Sequence, residues 1–314
     1  MNKLEIKALA RRTMAGGLAA SEEAAPGSGP RALVLIGQLG AGQLRASARL
    51  QREYFTDGTG RWRRPAVVCE EDFRCLHELA PDLLTKRLYS ETKEALKDIR
   101  LLERCCVKML ASAGRNILWL PKCINEITAP DMLKIMRRKG YRTETVMLAV
   151  PGKLSAARAA YEYERLKGTH GMAFIPVEEW HRDSLRFMRA VGSAIENRCL
   201  ANRIRVLNDL GGELFSSEIP LPDGGKTSSN GVIRREQTRA LRHGEYRCCL
   251  KMLSAVADGM DRRFAPHGER RAIANFIESQ FADSPEALYI SRARIARNAS
   301  ADIPGNRARR EKGE

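Results

Sequence analysis

A glycine-rich segment between a predicted strand and a predicted helix has the residue types and spacing of a phosphate-binding loop. The segment reads Gly37-Gln38-Leu39-Gly40-Ala41-Gly42-Gln43-Leu44. Its first and last glycines have the spacing of such a loop, in which backbone N–H groups and the start of the helix surround phosphate oxygens. Phosphate transfer also needs a lysine and a metal-ligating hydroxyl at the end of the loop. Those two positions hold Gln43 and Leu44, so the segment predicts phosphate binding by backbone without the groups that support transfer.

Short apolar runs that alternate with helix-like stretches must position this loop. Continuous apolar runs are typical of strands buried on both faces of a parallel sheet, and they occur at 32–36 and 66–69. Largely apolar stretches at 116–120, 143–150 and 203–207 predict three further strands. Because strand–helix–strand units build parallel sheets, we expect an α/β fold with a P-loop NTPase-like parallel sheet flanked by helices. The glycines at 211 and 212 predict that the chain then turns back at 213–215.

Composition along the chain predicts five regions. A short amphipathic stretch with Leu4, Ile6 and Leu9 opens the chain, and the Ala-, Gly- and Pro-rich residues 15–30 that follow predict a flexible lead over residues 1–30. The sheet domain follows over 31–215. Pro, Gly and Ser residues predict a linker over 216–231. Beyond it we expect a basic helical region over 232–303, outside the sheet, and a disordered tail over 304–314.

The overall composition excludes several classes of protein. With 314 residues, 43% hydrophobic and 29% charged, the chain is neither wholly disordered nor fibrous. No apolar run approaches the ~18–20 residues that span a bilayer, so we expect a cytoplasmic protein with no membrane contact. The eight cysteines contain no Cys-x-x-Cys pair. This pattern predicts buried free thiols and no metal site.

The net charge of +16 suggests an anionic partner, such as nucleic acid, a membrane surface or a phosphorylated ligand. The basic residues are spread along the chain, aromatic residues make up only 6% of it, and no reader motif is recognisable. These observations favour a phosphorylated ligand, and nucleic-acid binding remains an alternative hypothesis.

Several segments, taken in their order along the chain, resemble the zeta toxin family, P-loop kinases related to bacterial toxins that phosphorylate UDP-N-acetylglucosamine with ATP. The resemblance spans roughly residues 31–215. The matching segments are the Gly-Gln-Leu-Gly-Ala-Gly loop, Val-Val-Cys-Glu-Glu-Asp-Phe-Arg-Cys-Leu-His at 67–77, Lys-Gly-Tyr at 139–141, and the stretch from Leu154-Ser155 to Tyr163-Glu164.

The resemblance implies roles for a group of residues after the second strand. Glu71 matches the family's catalytic base, which acts on the sugar hydroxyl, and Asp72 lies beside it. Arg74 and His77 match positions on the substrate side. The nucleotide-binding residues implied are those of the glycine-rich loop.

Departures from the family pattern fall where the family carries out its chemistry. Besides Gln43 and Leu44, Leu120 stands where the family has a substrate-holding glutamate, and Glu162 stands where it has a phosphate-binding arginine. A further family arginine falls near Ala173. Lys122 is a conceivable replacement for the missing lysine.

The resemblance and these departures together favour a P-loop protein of sugar-nucleotide kinase ancestry with impaired phosphotransfer. We expect weak ATP binding that is largely independent of Mg²⁺, a nucleotide or nucleotide-sugar ligand, and an antitoxin-like protein partner. The alternatives are an active zeta-type kinase that uses Glu71 as base, and a nucleic-acid-binding protein.

Overall fold

The computed structural model describes residues 2–23, 27, 29–69, 73, 89–121, 127–171, 173, 175–218 and 228–296. These residues divide into two compact units. The first contains the chain up to Ser155 together with Trp180–Ala240, and the second contains Ala156–Glu179 together with the chain from Leu241 onward.

The first unit is built on a six-stranded sheet. Its strands are β1 Arg31–Gly37, β2 Ala66–Cys69, β3 Ile117–Leu120, β4 Arg142–Leu148, β5 Arg203–Leu207 and β6 Glu213–Glu218. They lie in the order β2-β3-β1-β4-β5-β6. The first five are parallel to their neighbours, and β6 pairs with β5 in the antiparallel sense. The predicted parallel sheet is confirmed, with β1 inside it and the chain turning back after β5.

Ten α-helices occur among the described residues. They are α1 Lys3–Ala20, α2 Gln43–Phe55, α3 Tyr89–Ser112, α4 Thr128–Arg138, α5 Gly152–His170, α6 Glu178–Asn197, α7 Ser229–Thr238, α8 His243–Arg262, α9 His267–Gln280 and α10 Pro285–Tyr289. A short π-helical stretch, Ile290–Ala296, follows α10. Within the described part of the chain, none of these helices combines the length and apolar character that crossing a membrane requires.

The helix α1 differs from the flexible lead that was predicted over residues 1–30. The side chain of Asn2 accepts hydrogen bonds from the backbone of Leu4 and Glu5, and Glu5 accepts one from Asn2 in return. The buried residues Ile6, Ala10 and Met14 follow at a four-residue spacing and join the core beside α3. This apolar stripe fixes the helix despite its Ala- and Gly-rich composition.

The predicted linker over 216–231 is partly structured. Residues 216–218 belong to β6, and 229–231 belong to α7, while 219–227 lie outside the described residues, as does the predicted tail over 304–314. Ile233 of α7 is fully buried in the core of the first unit. Residues 228–240 therefore group with the sheet, and the C-terminal part of the second unit begins at Leu241 rather than at residue 232.

The second unit is helical, as predicted for the region beyond the sheet. It combines most of α5 with α8, α9, α10 and the π-helical stretch. Its buried apolar side chains include Leu253, Val256, Met260, Ile273 and Phe281. Arg263 follows α8 and donates two hydrogen bonds to Glu164, at 2.9 and 2.7 Å, and another to Glu269. This ion cluster ties α5 to α9.

Candidate functional site

The glycine-rich loop lies at the carboxyl end of β1, beside the point where the order of the strands in the sheet changes direction. The loop follows Gly37, the last residue of β1, and leads into α2 at Gln43. From β1 the chain proceeds to β2 on one side, whereas from the neighbouring β4 it proceeds to β5 on the other side. Such a switch point opens a crevice at the carboxyl ends of the strands, where open α/β sheets bind ligands.

Glycines allow the loop to close tightly. Gly40 and Gly42 have φ values of 78° and 86°, in the left-handed region that other residues rarely adopt. A Cβ atom at Gly37 would lie 2.9 Å from the Cβ of Ala41 and 3.0 Å from the Cγ of Gln43. The N–H of Ala41 donates to the carbonyl of Gln38 at 2.9 Å and closes the turn.

The start of α2 offers backbone donors to an anion. Its first intrahelical bond runs from the N–H of Ala46 to the carbonyl of Gly42, so three N–H groups precede that bond, those of residues 43–45. Among the described residues, no side chain caps this end of the helix. The partial positive charge of a helix N-terminus therefore faces the loop, as phosphate binding by backbone requires.

The side chain of Gln43 is used within the protein itself. Its Nε2 donates to the carbonyl of Leu35 at 2.9 Å and to the carbonyl of Pro121 at 3.0 Å. An amide nitrogen carries only two protons. Both are thus engaged by carbonyls of β1 and of the residue that follows β3, and the group carries no charge.

Neither Leu44 nor its neighbours in α2 supply a hydroxyl for a metal ion. The side chain of Leu44 is 55% exposed and apolar. Ser47, one turn further on, is buried, and its hydroxyl donates to the carbonyl of Leu44 at 2.8 Å. Among the described residues, no group of three His, Cys, Asp or Glu side chains could hold a metal ion. At this end of the loop, α2 therefore presents an apolar side chain at residue 44 and, one turn further on, a hydroxyl that is already hydrogen-bonded.

A buried polar network holds the loop against β4, α6 and α7. The Nε2 of Gln38 donates to the carbonyl of Val150 at 2.6 Å and to Oγ of Ser155 at 3.1 Å. The same Ser155 oxygen lies 2.9 Å from Nε2 of His181. From α7, Gln237 donates to Oε1 of Gln38 at 3.1 Å.

A further contact completes the network, because Ser184 Oγ accepts the N–H of Leu39 at 3.1 Å. Sequence reasoning missed this role of Gln38, Ser184 and Gln237, since no local spacing connects residues that are up to 199 positions apart. His181 and Asp183, two residues apart on α6, have different partners. His181 is buried against Ser155, whereas Asp183 lies 3.9 Å from Arg186.

The predicted catalytic and substrate-side residues lie outside the described residues: Glu71, Asp72, Arg74, His77 and Lys122. The structure describes β2, which ends at Cys69, and the buried Phe73 in the core. The roles assigned to Glu71, Asp72, Arg74, His77 and Lys122 therefore stay predictions.

Two other departures from the family pattern, Leu120 and Glu162, lie among the described residues. Leu120, the last residue of β3, is buried. Glu162 lies on α5, where both of its carboxylate oxygens accept hydrogen bonds from the guanidinium of Arg165, at 2.9 and 2.6 Å. An arginine three residues away thus partly neutralises this carboxylate, and each side chain of the pair stays about half exposed.

The described cysteines are free thiols, as predicted, but they are not all buried, because Cys248 is exposed and Cys105 and Cys199 are partly buried. Cys106 and Cys249 are fully buried, and burial raises the pKa of each thiol to about 12. Thiols with such a pKa stay protonated at neutral pH and are poor nucleophiles and metal ligands.

Comparison with known proteins gives one family and several similar structures. A family model described as Zeta toxin matches residues 18–219, and no curated protein matches the chain. One similar structure comes from the molecular and structural characterization of the PezAT chromosomal toxin-antitoxin system of the human pathogen Streptococcus pneumoniae. It has a TM-score of 0.62 and 16% identity, and the match covers 83% of this chain and 96% of that chain.

Two structures of the AvrRxo1-ORF1:-ORF2 complex, native and with ATP, are also similar, each with a TM-score of 0.47. Their identities are 13% and 12%; the matches cover 93% of this chain in both cases, and 82% and 86% of those chains. The likeness of fold therefore rests on the match with the higher TM-score, and the matched family range includes the whole loop.

Proposed function

Because the chain belongs to the zeta toxin family, we propose that it binds nucleotide or phosphate weakly and transfers phosphate poorly. In this proposal the protein keeps the phosphate-binding loop of a sugar-nucleotide kinase ancestor but has lost most of the catalytic activity. The observation that carries the proposal is the position of Gln43, whose two amide protons are both donated to backbone carbonyls.

The energetic argument concerns charge. Phosphoryl transfer depends almost entirely on positioning and on neutralising the charge that develops on the phosphate oxygens, and one well-placed arginine is worth ~10³–10⁵ in rate. At the end of this loop Gln43 supplies no positive charge and Leu44 no oxygen ligand. Glu162 brings a negative charge to a position where the family has an arginine. Losing several such groups together removes more than any one of them.

What remains supports binding. The left-handed glycines and the uncapped start of α2 present backbone N–H groups toward the crevice. These donors carry no full charge, so their contribution depends little on a metal ion. The described residues at the end of the loop do not fit Mg²⁺, and no step of the proposal involves it.

If any transfer remains, we infer that Glu71 accepts the proton of the sugar hydroxyl, with Asp72 beside it and Arg74 and His77 on the substrate side. This part of the proposal rests on the family match over these residues. The related PezAT protein was characterized within a toxin-antitoxin system, and on that ground we also propose an antitoxin-like protein partner.

The test is calorimetric titration of the full chain with ATP, with and without Mg²⁺. We expect weak binding that changes little with the metal ion. The double substitution Gln43→Lys with Leu44→Thr should tighten ATP–Mg²⁺ binding by about tenfold or more, because charged hydrogen bonds contribute ~1.5–3 kcal/mol. Gln51→Lys, which adds the same charge further along α2, should leave the affinity unchanged.

The same protein is then assayed for phosphorylation of UDP-N-acetylglucosamine. We expect little or no product, and the double substitution alone should not restore full turnover. Glu71→Gln should leave ATP binding nearly unchanged, since its proposed partner is the sugar. Robust magnesium-dependent phosphorylation by the unmodified protein, abolished by Glu71→Gln, would contradict the proposal.

A further inference from the structure

A polar cavity lies at the amino ends of the strands, whereas the glycine-rich loop lies at their carboxyl ends. It has a volume of about 170 Å³ and lies beside the amino ends of β1, β4 and β5, next to the end of α2. Arg31, Arg142 and Arg203, the first residues of these three strands, all line it. The strands are adjacent in the sheet, so three guanidinium groups share one small space.

The register of the strands places these arginines on the same face of the sheet. Arg31 is paired with Arg142 across β1 and β4, and Glu144, two residues beyond Arg142, is paired with Arg203. Side chains two residues apart on a strand point to the same face. Like charges directly opposite each other on neighbouring strands are destabilising, so an anion between them would remove a repulsion that is built into the fold.

The hydrogen-bonding capacity of these arginines is not used up inside the protein. The guanidinium of Arg31 stacks 4.4 Å from the ring of Tyr54 and donates to the carbonyl of Thr56, yet its Nε is buried and has no hydrogen-bond partner among the described residues. The side chain of Arg142 is exposed, and no described side chain or carbonyl pairs with it. A buried donor without a partner indicates an absent ligand or water.

Three carboxylates, those of Glu53, Glu144 and Glu218, also line the cavity, together with Arg205. Arg205 lies 2.8 Å from Glu53, 3.3 Å from Glu144 and 2.8 Å from Glu213, so one arginine gathers three carboxylates. Among the described residues, the ion-pair partner of Arg203 is the exposed Glu218 at 3.8 Å, and its guanidinium also donates twice to the hydroxyl of Ser216. Arg205 thus pairs with two of the three lining carboxylates, and no described carboxylate forms an ion pair with Arg31 or Arg142.

The size of the cavity restricts the class of ligand. A volume of about 170 Å³ far exceeds the ~10–15 Å³ that one water needs, but it lies below the ~300–1,000 Å³ of pockets for drug-sized ligands. A nucleotide does not fit, whereas a tetrahedral oxyanion does. The planar donor forks of arginine match phosphate oxygens two at a time.

From this geometry we propose that Arg31, Arg142 and Arg203 form a second anion site, separate from the glycine-rich loop, for phosphate or the phosphoryl group of a small ester. Arg142 supplies the unengaged donors, and Arg31, held in place by Tyr54, supplies the buried one. Bound phosphate bridges the starts of β1, β4 and β5.

The test is titration of the full chain with inorganic phosphate in chloride buffer at constant ionic strength, with glycerol 3-phosphate as a second probe. We expect saturable binding, and a loss of about tenfold or more in affinity on Arg142→Gln, since that variant loses hydrogen bonds to a charged group. Arg12→Gln, which removes the same charge from the exposed surface of α1, should bind as the unmodified protein does. Tighter binding of the ester would identify a phosphoryl ligand, and tighter binding of phosphate would identify the free ion.

A third variant separates this site from the loop. Leu44→Glu places a carboxylate at the start of α2 and should leave phosphate binding at the arginines unchanged. Because the side chain of Arg142 has no partner among the described residues and lies opposite the like charge of Arg31, Arg142→Gln should unfold at the same or a higher temperature in chloride. It should gain less thermal stability from phosphate than the unmodified protein does. The proposal is overturned if neither probe binds, if Arg12→Gln weakens binding as much as Arg142→Gln, or if only Leu44→Glu abolishes it.

Discussion

At the scale of single residues, the side chain of Gln43 stabilises the loop in which the motif calls for a lysine. Its amide joins the carboxyl end of β1 to the chain that follows β3, through the carbonyls of Leu35 and Pro121. A buried carbonyl left without a donor costs about 1–3 kcal/mol. The glutamine therefore makes a structural contribution of its own, and it does so without burying a charge beside the sheet.

The close packing around Gly37 gives a testable prediction about the loop. Gly37→Ala should destabilise the protein by about 1–3 kcal/mol, because the added methyl group would collide with Ala41 and Gln43. Gly16→Ala, on α1 with no atom close to the added methyl group, should be neutral or stabilising by up to ~1 kcal/mol. Urea unfolding of both variants measures the difference, and equal effects would show that Gly37 is not closely packed.

The sequence could predict the context of the loop but not the partners of its side chains. A strand, three glycines and a helix follow one another in the chain, and this local order was enough to place the loop at the end of β1. Pro121 is 78 positions from Gln43, and Gln237 is 199 positions from Gln38. Contacts at such separations depend on the final arrangement of the strands and helices.

At the scale of elements, β1, β2 and β3 were predictable because each is a short, almost wholly apolar run, whereas β4 and β5 carry polar residues among their apolar ones. The five parallel strands lie within a few residues of their predicted bounds. The helix α1 was not predicted, because alanine and glycine hide an apolar stripe of three residues. The capping pair Asn2 and Glu5 is the signal that could have located its start.

A pair of substitutions on α1 tests whether this helix belongs to the core. Ile6→Ala should lower the free energy of unfolding by about 2–4 kcal/mol, since Ile6 is 1% exposed and its removal leaves a cavity. Leu4→Ala, at a position 77% exposed, should change it by less than ~0.5 kcal/mol. Chemical denaturation provides both values, and a flexible lead would make the two substitutions equally harmless.

At the scale of the whole molecule, the two units are stabilised by different interactions. The first depends on a large apolar core around the sheet. The second adds to its apolar core an ion cluster in which Arg263 contacts both Glu164 and Glu269. Burial by itself would raise the pKa of Glu269, but the hydrogen bond and positive charge of Arg263, together with Tyr163 and Lys167, outweigh it and hold that pKa below its usual value.

This cluster predicts that acid destabilises the second unit. A carboxylate whose pKa is lowered by folding contributes stability above its unfolded pKa, near 4.5, and loses it as the pH falls through the folded value. Unfolding followed by far-UV circular dichroism, at about pH 7 and about pH 3.5, should reveal the loss. Tryptophan fluorescence should follow the first unit, which contains all three tryptophans.

Two arginines of the second unit provide the matched variants for this prediction. Arg263→Gln should cost about 3 kcal/mol near neutral pH, because it leaves two buried carboxylates side by side without their cation. It should also flatten the acid dependence, since Glu269 then loses the hydrogen bond that lowers its pKa. Arg292→Gln removes an exposed partner of Glu278 and should cost less than ~1 kcal/mol. Equal losses from the two variants, or an acid dependence that survives Arg263→Gln unchanged, would mean that the cluster does not govern the stability of this unit.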